Sequence, residues 1–232
     1  MSKISEIRDK LGKMTDKKRA EILQRFFKTG KGEYGEGDIF IGIKLPDQKA
    51  LAEEYKDISL KDIEKLLKSK VHEERSLALG ILKKQYGKGD NKKIVDFYLK
   101  HTKFINNWDL VDTSAPHILG DWLLEKDRKI LYKLAESNNL WEKRISIIAT
   151  LTFIRNSDFK DCFKISKILL KDEQDLIHKA VGWMLREVGK RDLKIEEDFL
   201  KKYYEKMPRT MLRYAIEKFP EKRRQVYLKG KI

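Results

Sequence analysis

The feature that most limits this fold is a period. Arg75, Asp109, Arg144, Lys179 and Arg213 hold equivalent places in consecutive segments, separated by 34, 35, 35 and 34 residues. Each segment reads as two helices, because apolar residues recur at helical spacing. The pairs are "SLKDIEKLLKSK" with "VHEERSLALGILKKQYG", then "NKKIVDFYLKH" with "NNWDLVDTSAPHILGDWLL". They continue as "DRKILYKLAES" with "LWEKRISIIATLTFIR", "FKDCFKISKILL" with "DEQDLIHKAVGWMLREVGK", and "KIEEDFLKKYYEKM" with "PRTMLRYAIEKF". One helix pair cannot bury its own apolar face, whereas stacked pairs bury a continuous core. The pattern predicts an all-α chain, an α-solenoid of HEAT-like helix-pair repeats. Such stacks curve, and the second helices, which carry most of the unusual residues, are expected to line a basic concave groove.

The remaining sequence sets the boundaries. A single helical-repeat domain is expected over 1–232, with N-terminal helices and a Gly-rich loop in 1–58, about five helix pairs in 59–221, and a basic tail in 222–232. Ile4, Ile7 and Leu11 mark a first amphipathic helix. Thr15 is expected to cap a second, carrying Ile22, Leu23, Phe26 and Phe27 and ending near Gly30. Residues 30–37 hold four of the 13 glycines, so a loop is expected there. "IFIGI" follows as an ordered, extended connection, and Pro46 opens the next helix.

Lys+Arg outnumber Asp+Glu by 52 to 37, giving a formal net charge of +15. A polyanion, and nucleic acid first, is the simplest partner for such a chain. A lysine-rich surface alone gives the same charge, because the lysines are spread along the whole sequence. The lone Cys162 rules out an internal disulfide framework and reads as a small core residue. His72, His101, His117 and His178 show no paired ligand spacing, so no metal is expected. The N-terminus lacks an apolar signal core, and no run approaches about 18 apolar residues, so no membrane association and a cytoplasmic location are expected.

Aligning the second helices isolates an anomaly. Three places past the first column stand Ala78, Asp112, Ile147, Gly182 and Ile216. Four of these are small or apolar, so the column packs against a neighbouring helix or lies close to a ligand. Asp112 breaks it, and an ionised carboxylate there is costly unless paired. Arg144, from the next unit, is the expected partner. One place before the first column lies Trp108, and four places past it lies Trp183. Two tryptophans, one carboxylate and the cations Lys143, Arg144, Lys179 and Arg213 would then face one groove. Aromatic faces beside cations suit nucleic acid, the rings meeting sugars or bases while the cations hold phosphates. The plainer alternatives are an Asp112 that ties adjacent helices, and tryptophans that are core, as expected for Trp122 and Trp141. Asp109 either faces solvent or anchors a neighbouring helix end, and Asp121 faces solvent.

Other chemistries find little support. "GKGEYGEGD" lacks the following GKS or GKT of a phosphate-cradling loop and follows no strand. Ser114 near His117 is no catalytic arrangement.

The stretches "NNWDLVDTSAP", "LWEKRISIIATL", "HKAVGWMLREVGK", "PRTMLRYAIEKFPEKRR" and "IFIGIKLPDQKALAEEY" resemble the DNA alkylation repair family of HEAT-like DNA glycosylases, over roughly residues 15–226. The resemblance implies release of cationic N3- and N7-alkylated purines from duplex DNA by hydrolysis of the N-glycosidic bond. It implies DNA held in the concave groove, without the extrusion into a pocket used by other glycosylases. The family's catalytic aspartate falls on Asp112, its aromatic before the W-D-x-x-D aspartate on Trp108, its arginine on Arg144 and its G-W tryptophan on Trp183. The glycine-rich loop departs from that pattern, and no N-terminal DNA contact is carried across it. No metal or organic cofactor is implied, and a monomer is expected because the groove must stay accessible.

The chemistry is consistent with those residue types. A cationic purine leaves readily as a neutral base, and the sugar develops oxocarbenium character. A carboxylate stabilises that charge and positions water, and tryptophan faces favour a cationic centre. A non-catalytic solenoid for branched or damaged DNA, or a protein-binding repeat scaffold, accounts for the same architecture with less use for Asp112.

Overall fold

The computed structural model describes residues 2–232. The chain is all-helical, as the periodicity requires, and it forms two compact units, 1–110 and 111–232. All ten helices expected in the repeat region are present. No strand occurs among the described residues, and no helix among them is long and apolar enough to cross a membrane.

The first unit contains α1 (Lys3–Lys13), α2 (Lys17–Phe26), α3 (Leu45–Glu54), α4 (Leu60–Leu67), α5 (His72–Gln85) and α6 (Asn91–Lys100). Side-chain oxygens hold the helix starts, which would otherwise leave backbone N–H groups without partners. Ser2 caps α1, Ser59 caps α4 and Asp90 caps α6. The expected cap of α2 is corrected: Asp16, not Thr15, accepts from the Arg19 N–H. Thr15 instead donates to the Gly12 carbonyl. A carboxylate is the stronger acceptor at a helix N-terminus, where the backbone dipole is positive.

Pro46 sits in the first turn of α3, as expected. Helices α3 and α4 pack on α5, and α1 packs on α4, around Ile7, Leu11, Ile63, Leu66, Leu67, Ile81 and Leu82. Each such side chain contributes about 1.5–3 kcal/mol when fully buried. Helix α2 departs from expectation, because it buries none of its residues. Ile22 and Phe26 are 59% and 62% exposed, and only Phe27, just past its end, turns inward.

The "IFIGI" stretch is an ordered extended connection with a single parallel bridge from Ile39 to Val71. A buried side chain replaces the missing partner strand. The Glu73 carboxylate accepts from the N–H groups of Ile41, Gly42 and Ile43, which explains a glutamate that is 1% exposed.

Helix α7 (Trp108–Ala115) crosses the boundary between the units. The second unit continues with a π-helical turn, Pro116–Gly120, then α8 (Lys129–Ala135), α9 (Leu140–Arg155), α10 (Lys160–Leu169), α11 (Asp175–Gly189), α12 (Leu193–Tyr203), α13 (Arg209–Ala215) and α14 (Glu221–Leu228). Successive second helices lie side by side, α9 on α11 and α11 on α13. Their core is Ile145, Ile148, Phe153, Val181, Met184 and Leu185. Ile147 and Ile216, from the apolar column, are fully buried. Gly182 in the same column lets α13 approach, since a Cβ there would strike the Met211 carbonyl and the Tyr214 side chain.

Cys162 is buried, and burial pushes its thiol up to about 12. Trp141 is core, as expected. Trp122 is not: it is half-buried, with the Lys126 ammonium 4.2 Å above its ring. Asp121 is exposed, as expected. Residues 221–228 of the basic C-terminal stretch are helical and bury Tyr227.

Candidate functional site

Asp112 lies in the middle of α7. Pro116, four residues on, has no N–H to give the Asp112 carbonyl, so a plain α-helical bond between them is impossible. The helix passes into its π turn at that proline, a common way of absorbing a break in the ladder. The candidate residue therefore stands one turn before an irregularity that its own sequence imposes.

Arg144, on α9, is the partner the columns predict. Its Nε and Nη2 each donate to one Asp112 oxygen, both at 2.8 Å. Its Nη1 donates to the Leu176 carbonyl on α11 at 2.6 Å. The guanidinium thus joins α7 to α11, and its planar fork matches the carboxylate in a way a lysine ammonium does not. The Arg144 side chain is 6% exposed and that of Asp112 is 15% exposed. The carboxylate keeps an opening toward solvent, while its cation is almost enclosed.

Two other candidate cations of this unit, Lys143 and Lys179, are tied down locally. The Lys143 ammonium is 2.7 Å from an Asp172 carboxylate oxygen, and the Asp172 carbonyl is 2.5 Å from the His178 Nε2. Lys179 pairs with Asp175 at 2.7 Å, one turn earlier. Burial opposes the charge on Asp175, but Lys179 outweighs it and holds the carboxyl below its usual range. Arg213 is exposed. Trp183 is half-buried on α11, and its indole N–H donates to Glu187 at 3.0 Å.

In the first unit, Trp108 opens α7, and its backbone N–H is accepted by the Asn107 side chain at 2.8 Å. Its ring stacks on Phe27, with centroids 5.2 Å apart and planes at 13°. Phe27 stacks on Phe40, and Phe40 on the His72 imidazole at 4.4 Å. The exposed Phe26 meets Trp108 edge-on at 6.0 Å. Asp109, the one acid in a column that is cationic in the other four segments, is partly buried rather than a surface carboxylate. Its Oδ2 is 2.8 Å from His72 Nε2, so it anchors the neighbouring helix α5, one of the two roles its position allowed. The other ring nitrogen of His72 is 3.2 Å from Asp38 Oδ2, which also takes Arg75 at 2.6 Å. Arg75, a member of the cationic column, is therefore an interior residue, 3% exposed.

Burial works against charge on His72, but the bonds to Asp109 and Asp38 prevail and raise its affinity for a proton. Burial likewise opposes charge on Asp38, and the bond to His72 and the charge of Arg75 overcome it. Spacing did not reveal this cluster. His72, Asp38 and Phe27 give no local signal, because Asp38 and Phe27 lie in the non-repeating N-terminal region.

The structure therefore joins Asp112 to Arg144 directly and links Arg144 to the helix that carries Trp183. It places Trp108 in an aromatic stack of the first unit. Lys143 and Lys179 are ion-paired, and Arg213 is exposed to solvent.

Comparison with known proteins bears on the identity of this arrangement. A family model described as DNA alkylation repair enzyme matches residues 7–219. The fold is similar to a solved structure described as a predicted DNA alkylation repair enzyme from Enterococcus faecalis. That similarity has a TM-score of 0.73 at 18% identity and covers 90% of this chain and 98% of the other. No curated protein matches. With nearly its whole length matched, the chain belongs to the family of DNA alkylation repair enzymes.

Proposed function

We propose that the chain is a DNA glycosylase. It excises cationic N3- and N7-alkylated purines from duplex DNA by hydrolysing the N-glycosidic bond, and it does not draw the base into a pocket. The observation that carries the reading is Asp112. It is a carboxylate in an apolar column, partly open to solvent and gripped through both oxygens by Arg144. Such a fixed anion lowers the energy of a neighbouring oxocarbenium-like sugar, because charge develops where a preorganised counter-charge already stands. The alkylated purine departs as a neutral base, so no proton need be delivered to it. Asp112 also positions the water that completes hydrolysis.

Trp183 and Trp108 are proposed to contact the lesion and its sugar with their ring faces. Arg144 keeps its hold on Asp112, and Arg144, Lys143, Lys179 and Arg213 are proposed to meet the DNA backbone, the two lysines exchanging their carboxylate partners for a phosphate. The protein acts as a monomer in the cytoplasm, on double-stranded DNA and without a cofactor.

The deciding experiment incubates the protein with duplex DNA containing N7-methylguanine and measures released base. Wild type is expected to release it. Asp112→Asn is expected to bind the duplex and release little. Equal release by the two proteins removes Asp112 from the mechanism.

A second reading has one observation in its favour. Both Asp112 oxygens are occupied by Arg144, as in a structural tie between helices. On that reading the chain is a non-catalytic module for branched or damaged DNA. It binds duplex in a salt-dependent way, and no base appears in solution.

A further inference from the structure

We propose that His72 is a positioning residue for Trp108: held between Asp38 and Asp109, it fixes the start of α7 and thereby sets the tryptophan ring for contact with DNA. The inference rests on the reading of Trp108 as a DNA contact, and every residue involved lies in the first unit.

Three segments meet at this imidazole. Its own helix, α5, contributes Arg75, whose Nη2 is 3.4 Å from Nδ1. The connection between α2 and α3 contributes the Asp38 carboxylate, the Phe40 ring and the Phe27 ring, 5.2 Å away. The start of α7 contributes the Asp109 carboxylate, while Asn107 reaches Asp38 at 3.4 Å. The nearby acids of α5 are turned elsewhere, Glu73 to the 41–43 amides and Glu74 to Arg8. The backbone takes part as well: the His72 N–H donates to the Ile39 carbonyl at 2.8 Å. His72 is 3% exposed, so the tie is made away from water.

The tie acts on Trp108 in two ways. Asp109 is the next residue in the helix, so its anchor fixes the first turn of α7. The stack from His72 through Phe40 and Phe27 also reaches the indole itself. A cluster of two carboxylates, an imidazole and a guanidinium is expensive to bury. An apolar core would hold three segments together without that expense, but it would not orient one helix start.

The proton on His72 makes the tie complete. An imidazolium donates from both nitrogens, so it serves Asp109 and Asp38 together, whereas a neutral ring donates from one only. The other nitrogen then turns a lone pair toward a carboxylate or toward Arg75. The two carboxylates raise the proton affinity of His72. The complete tie is therefore present at low pH and lost as pH rises through a value above that of an ordinary histidine.

The test follows the indole N–H resonances of the four tryptophans in the free protein by NMR, Trp108 being assigned with Trp108→Phe. The Trp108 signal is expected to shift with pH in wild type. In His72→Gln it is expected to be constant, and in Asp109→Asn its midpoint moves down, because one carboxylate is gone while an acceptor remains. Duplex affinity of His72→Gln is expected to be weaker than wild type by roughly fivefold at about pH 5.5 and equal to it at about pH 9. A purely structural histidine would move neither the midpoint nor this ratio. A Trp108 signal that does not titrate, or that titrates alike in all three proteins, overturns the inference. If Trp108 titrates as expected but wild type neither binds duplex nor releases base, the tie stands and the proposed function falls.

Discussion

Asp112 receives two parallel N–H bonds from Arg144, one to each oxygen and each 2.8 Å long, while the third nitrogen of the same guanidinium holds the Leu176 carbonyl. One side chain thus fixes the orientation of the candidate catalytic group and joins it to the helix bearing Trp183. A lysine has no planar fork and cannot make the same three bonds in one plane.

Arg144→Lys is therefore expected to fold but to lose most base release, by about tenfold or more, because Asp112 is no longer held through both oxygens. Arg144→Ala leaves a nearly buried carboxylate without its partner and is expected to cost about 3 kcal/mol of stability. Released base measures the first effect and urea unfolding the second. Unchanged release in Arg144→Lys would show that the bidentate grip is irrelevant to the chemistry.

Gly182→Leu is expected to loosen the second unit. A side chain at this place meets the Met211 carbonyl and Tyr214, so α13 must move away from α11. The cost expected for such overpacking is about 1–3 kcal/mol, visible as a lower Tm.

Glu196 gives a pH signature unrelated to the candidate site. It is 1% exposed, and burial, with the neighbouring Glu197 charge, raises its carboxyl from the ordinary 4.5 to about 9. Between those values the folded state keeps a proton that the unfolded chain releases. The folded state then binds more protons, so stability falls as pH rises across this window. Glu196→Gln removes the dependence. Its stability relative to wild type is expected to rise steadily from about pH 4.5 to about pH 9, as measured by denaturant unfolding in matched buffers. A difference that stays flat with pH would contradict the assignment.

Arg213 is exposed, and it is proposed as a phosphate contact. Arg213→Ala is expected to weaken duplex binding by a similar factor for every DNA sequence and to lower the salt slope of log affinity by about 1. Titrations at several salt concentrations measure both quantities.

The helices were legible because each must bury a stripe, and the stripe recurs every 34 or 35 residues. The Asp112–Arg144 pair was legible for the same reason: neighbouring columns of adjacent repeats, one helical turn apart, fall near one another when helices stack. The clamp on Asp109 was not. Its other ends, His72 and Asp38, stand 37 and 71 residues earlier, and Asp38 lies in a stretch with no period. The Thr15 cap failed because two capping residues stood side by side, and an amphipathic pattern alone does not choose between them. Helix α2 misled in another way. Its Ile22 and Phe26 are spaced as a buried stripe would be, yet both are exposed. Trp122 carries a lysine over its ring at the place where a core residue was expected.

The π turn after Asp112 fixes where the rest of that helix points. A π turn takes up one residue more than an α turn, so helical phase slips between Asp112 and Asp121. Gly120, the last residue of the turn, comes to rest against the Ala149 backbone, at a distance that only a glycine tolerates. Deleting one residue from 116–120 would restore ordinary phase and rotate a bulky neighbour into that contact. Loop insertions elsewhere in the chain change only its length, whereas here a single residue acts as a counter, and a miscount would push α9, and Arg144 with it, away from Asp112.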